Sequence, residues 1–232
     1  MIDRNFEGFP AGLFQFLEEL AGNNERGWFT ANKQRYRDNV VEPICGFIGA
    51  MAPRLQGISH AFVADARPNG GSMFRIYRDV RFSKDKRPYK EHAACHFRHC
   101  AGKDAHAPGF YVHLEPTRVL YGGGIWKPPS SVLGRIRDRI VERPEDWSEI
   151  REASDVEELF GGIGGEALKR APRGYSEDSP HLDDIKRKTF FLMREVESVR
   201  ALSAEFADEV ATAFSASAPL MRFVCKAVGV AF

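Results

Sequence analysis

Between positions 75 and 90 the chain reads Arg-Ile-Tyr-Arg-Asp-Val-Arg-Phe-Ser-Lys-Asp-Lys-Arg-Pro-Tyr-Lys. Seven of these residues are Arg or Lys and two are Asp, in a chain whose total net charge is +1. Guanidinium forks match phosphate and carboxylate oxygens two at a time, so such a run points to anion recognition. Arg75, Arg78 and Arg81 are the candidate anion holders, and Tyr77 is a candidate hydrogen-bond donor beside them. Asp79 either orients one of these arginines or supplies acid/base chemistry.

Side chains alternate across a strand. If residues 74–82 are a strand, Phe74, Ile76, Val80 and Phe82 form its core face, and Arg75, Tyr77, Asp79 and Arg81 the opposite one. Arg78 then falls on the apolar face and must be re-aimed by a bulge or buried and paired. The next alternating runs repeat the pattern. Lys90, His92, His96 and Arg98 oppose Ala93, Cys95 and Phe97, and Tyr111, His113 and Glu115 oppose Phe110, Val112 and Leu114. Neighbouring strands must share their polar face, so a sheet face rich in Arg, His and Tyr is expected, with His113 and Glu115 as further acid/base candidates. The bland alternative is that Lys84, Lys86, Arg87 and Lys90 are a solvated turn of the kind that protects sheet edges.

Other chemistries fare worse. His92, His96 and His113 with Glu115 or Asp79 have the composition of a two-histidine, one-carboxylate metal set, but the surrounding arginines repel a cation, so no metal is expected. Ser83 lacks a nucleophile elbow. Cys95 faces the core and is read as an inert thiol. The stretch Gly162-Ile163-Gly164-Gly165-Glu166-Ala167 has dinucleotide-fingerprint spacing without the strand that must precede it. No cofactor is expected.

The elements that must position these residues follow from periodicity. Leu13, Phe14, Leu17 and Leu20 mark a first helix ended by Gly22 and Asn23. A second helical stretch begins near Trp28, with a break at Pro43, which sits in the first turn of the helix after it. The runs 74–82, 92–98, 110–115 and 118–125 predict an antiparallel meander. Ser130 and Ser131 are expected N-caps of a helix carrying Val132, Ile136 and Ile140. Residues 189–196 predict a further strand. Val199, Leu202, Phe206, Val210 and Phe214 predict a helix, with Pro219 separating it from a last one. The fold expected is α+β, a single domain over residues 1–232, with an antiparallel sheet flanked by N-terminal and C-terminal helices.

Composition agrees with a globular core: 43% hydrophobic and 28% charged, with 18 Phe. A net charge of +1 argues against a general nucleic-acid binder but permits a local basic patch. Four cysteines without metal spacing fit reduced thiols in the cytoplasm. No apolar leader and no 18-residue apolar stretch is present, so no membrane partner is expected.

The spacing Arg75-x-x-Arg78-Asp79-x-Arg81-Phe82-x-Lys84-x-Lys86-x-Pro88-Tyr89 resembles the motif of the family known as domain of unknown function (DUF) 2461. Asn23-Asn24-Glu25-Arg26-Gly27-Trp28-Phe29 with Asn32, Lys33 and Tyr36 is similar to that family's N-terminal block, and Gly123-Gly124-Ile125-Trp126 and Pro172-x-Gly174-Tyr175 to later ones. The resemblance implies that Asn24, Arg26, Trp28, Asn32 and Lys33 approach the same site from the helical side, with Lys86 and Tyr89 of the motif as further ligand-binding candidates; Trp28 is equally read as a core aromatic and Asn24 as a helix cap. It implies no reaction. Three readings therefore stand: an anionic, phosphorylated small molecule is bound and hydrolysed or transferred; the basic face is a platform for nucleic acid or a protein partner; or the Arg/Asp cluster is a structural network without a ligand.

Overall fold

The computed structural model describes residues 6–102 and 108–232. The start of the chain, where no apolar leader was expected, lies partly outside them. Helices α1 (Ala11–Gly22), α2 (Arg26–Ala31), α3 (Lys33–Tyr36) and α4 (Glu42–Ile58) come first. Five strands follow, interrupted by helices: β1 (Phe62–Val63), β2 (Ala93–His99), β3 (Gly109–Leu114), β4 (Arg118–Ile125) and β5 (Phe190–Glu197). Between β4 and β5 lie α5 (Ser130–Glu142), α6 (Pro144–Arg151), α7 (Ser154–Phe160) and α8 (Leu182–Ile185), and α9 (Phe206–Val228) closes the chain. The sheet order is β1-β2-β3-β4-β5, antiparallel throughout. The fold is thus α+β, an antiparallel meander with helices before and after it.

The alternation expected for β2 to β5 is present. Phe97, Phe110, Val112, Leu114, Val119, Tyr121, Phe190 and Leu192 are all buried. They meet α9, where Phe214 stacks on Phe110 at 4.6 Å and lies edge-on to Phe97 at 5.7 Å. A second apolar cluster gathers Ile136, Ile140, Trp147, Phe190 and Phe223 beneath β5. There the Trp147 indole donates to Asp184 at 2.9 Å, and Arg187 holds the same carboxylate at 2.7 Å.

Gly123 explains how closely α9 approaches. A Cβ there would lie 2.9 Å from both the Phe110 ring and the Ser217 hydroxyl. Any side chain would push the helix off the sheet.

Five expectations are corrected. Residues 74–82 are not a strand. They form one arm of an irregular hairpin, joined to β2 by a bridge at Met73–Cys95 and closed on itself by one at Tyr77–Tyr89. Pro219 does not divide the C-terminal segment, because α9 runs through it and loses only the one hydrogen bond a proline cannot donate. Val199 and Leu202 belong to a short 3-10 turn and are exposed. Ser130 and Ser131 make no side-chain cap, since α5 starts from Pro129. Pro43 does sit in the first turn of α4. A wide π turn at 37–41 leads into it and absorbs the missing N–H, so the chain does not break.

Gly123→Leu should destabilise the protein by about 1–3 kcal/mol through overpacking. Gly134, in the interior of α5 with open space at its Cβ, gives the control, since Gly134→Ala should be neutral or stabilising by up to about 1 kcal/mol. Urea unfolding midpoints measure both, and equal effects would contradict the packing account.

Candidate functional site

The hairpin at 73–90 departs from strand geometry because its own side chains compete for the backbone. Asp79 accepts the backbone N–H of Arg81, and Asp85 that of Arg87, while each carboxylate also grips the guanidinium of the same arginine. Asp65 and Arg67 repeat the device before the hairpin. These Asp-x-Arg turns satisfy backbone groups locally, which removes them from a ladder. The pattern is readable as three Asp-x-Arg triplets, and it was the signal missed.

The foot of the hairpin is fixed to the helical layer by Asn24. Its side-chain amide donates to the Tyr89 carbonyl at 3.0 Å and accepts the Tyr89 N–H at 3.0 Å, as a neighbouring strand would. It also donates to Glu91 at 3.2 Å. The Tyr89 ring is buried, stacked on Phe29 at 4.1 Å. Tyr89 is therefore an anchor of the fold, and it also borders the cleft described below. Tyr77 sits against Tyr89 and Phe29 but keeps half its surface exposed.

The other expected site residues divide into groups. Arg78 is three-quarters buried at its side chain and pairs with Asp85 at 2.6 Å, the buried-and-paired alternative. Asp85 is shared with Arg87, which also pairs with Glu91. Arg81 is exposed and bound to Asp79, whose carboxyl that guanidinium holds down to about 2. Lys86 donates to the Val80 carbonyl at 3.0 Å. Among the described residues no carboxylate lies within ion-pair distance of Arg75, Lys84, Lys86 or Lys90. Phe74 and Phe82, expected in the core, are exposed, Phe82 at 95%. On the helical side, Arg26 and Lys33 are exposed and Asn32 donates to the Trp28 carbonyl, so these three are not brought to the hairpin by any hydrogen bond or ion pair.

The polar sheet face does assemble. His96 pairs with Tyr111, and Ala94 with His113. Along β3 the residues at 111, 113 and 115 form a chain. The Tyr111 hydroxyl meets His113 Nδ1 at 2.9 Å, and His113 Nε2 meets Glu115 at 2.9 Å. With Nε2 as the N–H donor to the carboxylate, Nδ1 accepts from the tyrosine. Arg118 anchors Glu115 at 2.6 Å and reaches Glu195 at 3.2 Å. This support, with the bond from His113, holds the Glu115 carboxyl below its ordinary range. His92 stacks on His113 at 4.2 Å. Burial, then the neighbouring His113 and Lys90, push His92 down to about 4, and burial does the same to His96. Both rings are neutral at physiological pH. Burial pushes Tyr111 up, so it remains a proton donor.

A cleft of about 440 Å³ opens where the hairpin foot meets the end of this face. Arg78, Arg87, Lys90, His92, Glu91 and Glu115 line it. Lys90 is half-buried there, with its ammonium 5.2 Å from the Phe74 ring, and burial together with Arg75 lowers its pKa. Arg75 and Arg81 do not line it. The described residues hold no group of three His, Cys, Asp or Glu placed to bind a metal ion. No described helix is long and apolar enough to cross a membrane.

Comparison with known proteins gives one finding. The family profile described as "Conserved hypothetical protein (DUF2461)" matches residues 12–223. No match is found among curated proteins.

Two outcomes follow. Asn24→Ala should raise amide hydrogen exchange across 76–90 while β3 and β4 keep their protection, and uniform exchange would contradict the clamp. For His92 and His96, the folded pKa of about 4 lies below the unfolded 6.5. The unfolded chain takes up protons first, so stability is full above pH 6.5, falls from there toward pH 4, and loses nothing more from these groups below that. Melting should drop between pH 7 and 5, and less so in His92→Gln. A flat profile in that window would refute the assignment.

Proposed function

We propose, from the premise that the chain belongs to the DUF2461 family, that the protein binds a phosphorylated or otherwise anionic small molecule in the cleft at the hairpin foot. The observation that carries this is Lys90. A half-buried ammonium beside Arg75, with no carboxylate among the described residues in ion-pair range, stands on a wall shared with Arg78 and Arg87. Burying a cation without a partner is unfavourable, and an anion in the cleft would reverse the sign of that contribution. The volume suits a small ligand.

The chemistry available beside the anion is proton transfer. His92 is neutral and lines the cleft. Glu115 opens onto it as well, and behind Glu115 the His113–Tyr111 chain offers a path for a proton along one strand. A hydrolase or a group transferase would use these parts in the same way, with the cations neutralising charge on the transferred group and the histidines handling the proton. Asp79, committed to Arg81 and exposed, has no part in this.

The rival reading is a network without a ligand, and Asp85 shared between Arg78 and Arg87 is the observation in its favour. The two separate at Lys90, which belongs to the cleft but not to the ion pairs. Thermal melting against phosphate, pyrophosphate, nucleotides and sugar phosphates should show a rise of several degrees with one class, since a ligand at 100 times its dissociation constant adds about 2.7 kcal/mol. Lys90→Ala should remove that rise without lowering the melting temperature of the free protein. No rise with any of them would favour the network.

A further inference from the structure

The cleft leaves unexplained the outer part of the hairpin, where the chain exposes what a folded protein ordinarily hides. Phe82 is 95% exposed and Tyr77 51%. The Arg81 guanidinium lies 5.9 Å from the Phe82 ring centre. Arg75, Lys84 and Lys86 carry charge that no carboxylate among the described residues neutralises within ion-pair distance. Positions 75–90 hold seven Arg and Lys against two Asp, or +5, in a chain of +1, which leaves the remainder at −4.

We propose that this ribbon docks single-stranded nucleic acid, with bases stacked on Phe82 and Tyr77 and phosphates held by Arg75, Arg81, Lys84 and Lys86. Stacking faces interleaved with cations are what a strand requires, because every base has a π face and the backbone carries one charge per nucleotide. The position of the aromatics favours a strand over an anionic membrane. Tyr77 is packed at the hairpin base on Phe29 and Tyr89 with half its surface exposed, while Phe82 stands 95% exposed in the segment beyond, so the two rings are separate stacking positions rather than one apolar patch for a bilayer. The remainder of the chain, at −4, opposes an extended anionic plane more than a strand that follows the ribbon alone. The charge distribution, basic on one ribbon and acidic elsewhere, is the electrostatic footprint of such a surface.

Fluorescence anisotropy of a labelled 20-nucleotide dT strand, titrated with the full chain in 50 mM and 150 mM salt, tests this. Binding should weaken with salt at a slope set by about three or four phosphate contacts, roughly −2 to −3 on logarithmic axes. Phe82→Ala, a change at a solvent-exposed position that the fold tolerates, should weaken binding by about fivefold to a hundredfold. In Phe82→Trp the tryptophan emission should quench on adding dT. Lys90→Ala, whose ammonium lines the cleft and is not among the four cations assigned to the phosphates, should leave the loss in Phe82→Ala and most of the dT affinity in place, so this interface and the anion site fail separately. Absence of binding at 50 mM salt, unchanged affinity in Phe82→Ala, or capture by phosphatidylserine vesicles without binding to dT would each overturn the proposal.

Discussion

A segment with a charge of +5 cannot fold back on itself unless carboxylates are interleaved with its cations, and this constraint shapes everything around it. Asp79 closes one turn on Arg81 and Asp85 another on Arg87. Asp85 then reaches across to Arg78, so that shared charge reinforces the backbone bonds that join the two arms, from the Arg78 N–H to the Pro88 carbonyl at 2.9 Å and from the Lys90 N–H to the Ile76 carbonyl at 2.8 Å, while Glu91 holds Arg87 within one arm. Exposed pairs of this kind are individually weak, and their effect here comes from being networked. What attaches the ribbon to the body is Asn24, whose amide supplies both halves of a backbone-like pairing to Tyr89 while the ring is buried on Phe29. A family motif that spaces Asp between Arg, and ends in Pro-Tyr, is therefore first a recipe for a stable cationic hairpin.

This separates what was legible in the sequence from what was not. Strands β2 to β5 announced themselves because one face of each is packed against α9, and burial imposes a period of two. Tyr111, His113 and Glu115 were placed on one face by that rule, and they do meet, each within 2.9 Å of the next. Residues 74–82 also alternate, and Ile76 is buried as that rule expects, but the core does not extend over Phe74 or Phe82, so there the period carried no packing information. Phe82, read as core, is exposed for that reason. The continuity of α9 through Pro219 was hidden because a proline signals only the hydrogen bond lost locally, and the contacts of Phe214, Leu220 and Phe223 with the sheet and with Trp147 outweigh it.

The motif's charges thus serve two sides of one hairpin. Arg78, Arg87 and Lys90 turn toward the sheet and the histidines, whereas Arg81, Phe82 and Lys84 turn toward solvent. Gly123 contributes at a distance, by letting α9 lie close enough to the sheet to keep β3, and with it Tyr111 and His113, in a fixed register. His92 contributes by staying neutral, which lets it stack on His113 without repulsion while Lys90, two residues earlier, lines the same cleft as a cation.

The claim on which the account rests is that the cleft between the hairpin foot and the end of β3 takes an anion. Anomalous diffraction from crystals soaked in tungstate, a heavy analogue of phosphate, addresses it directly, because the ion's position is read without assuming a ligand or a reaction. The account predicts a tungsten peak within hydrogen-bond reach of Lys90 and Arg78, lost in Lys90→Ala crystals grown in the same form. A cleft without tungsten while the ion occupies other sites, or a peak there that survives Lys90→Ala unchanged, would contradict it.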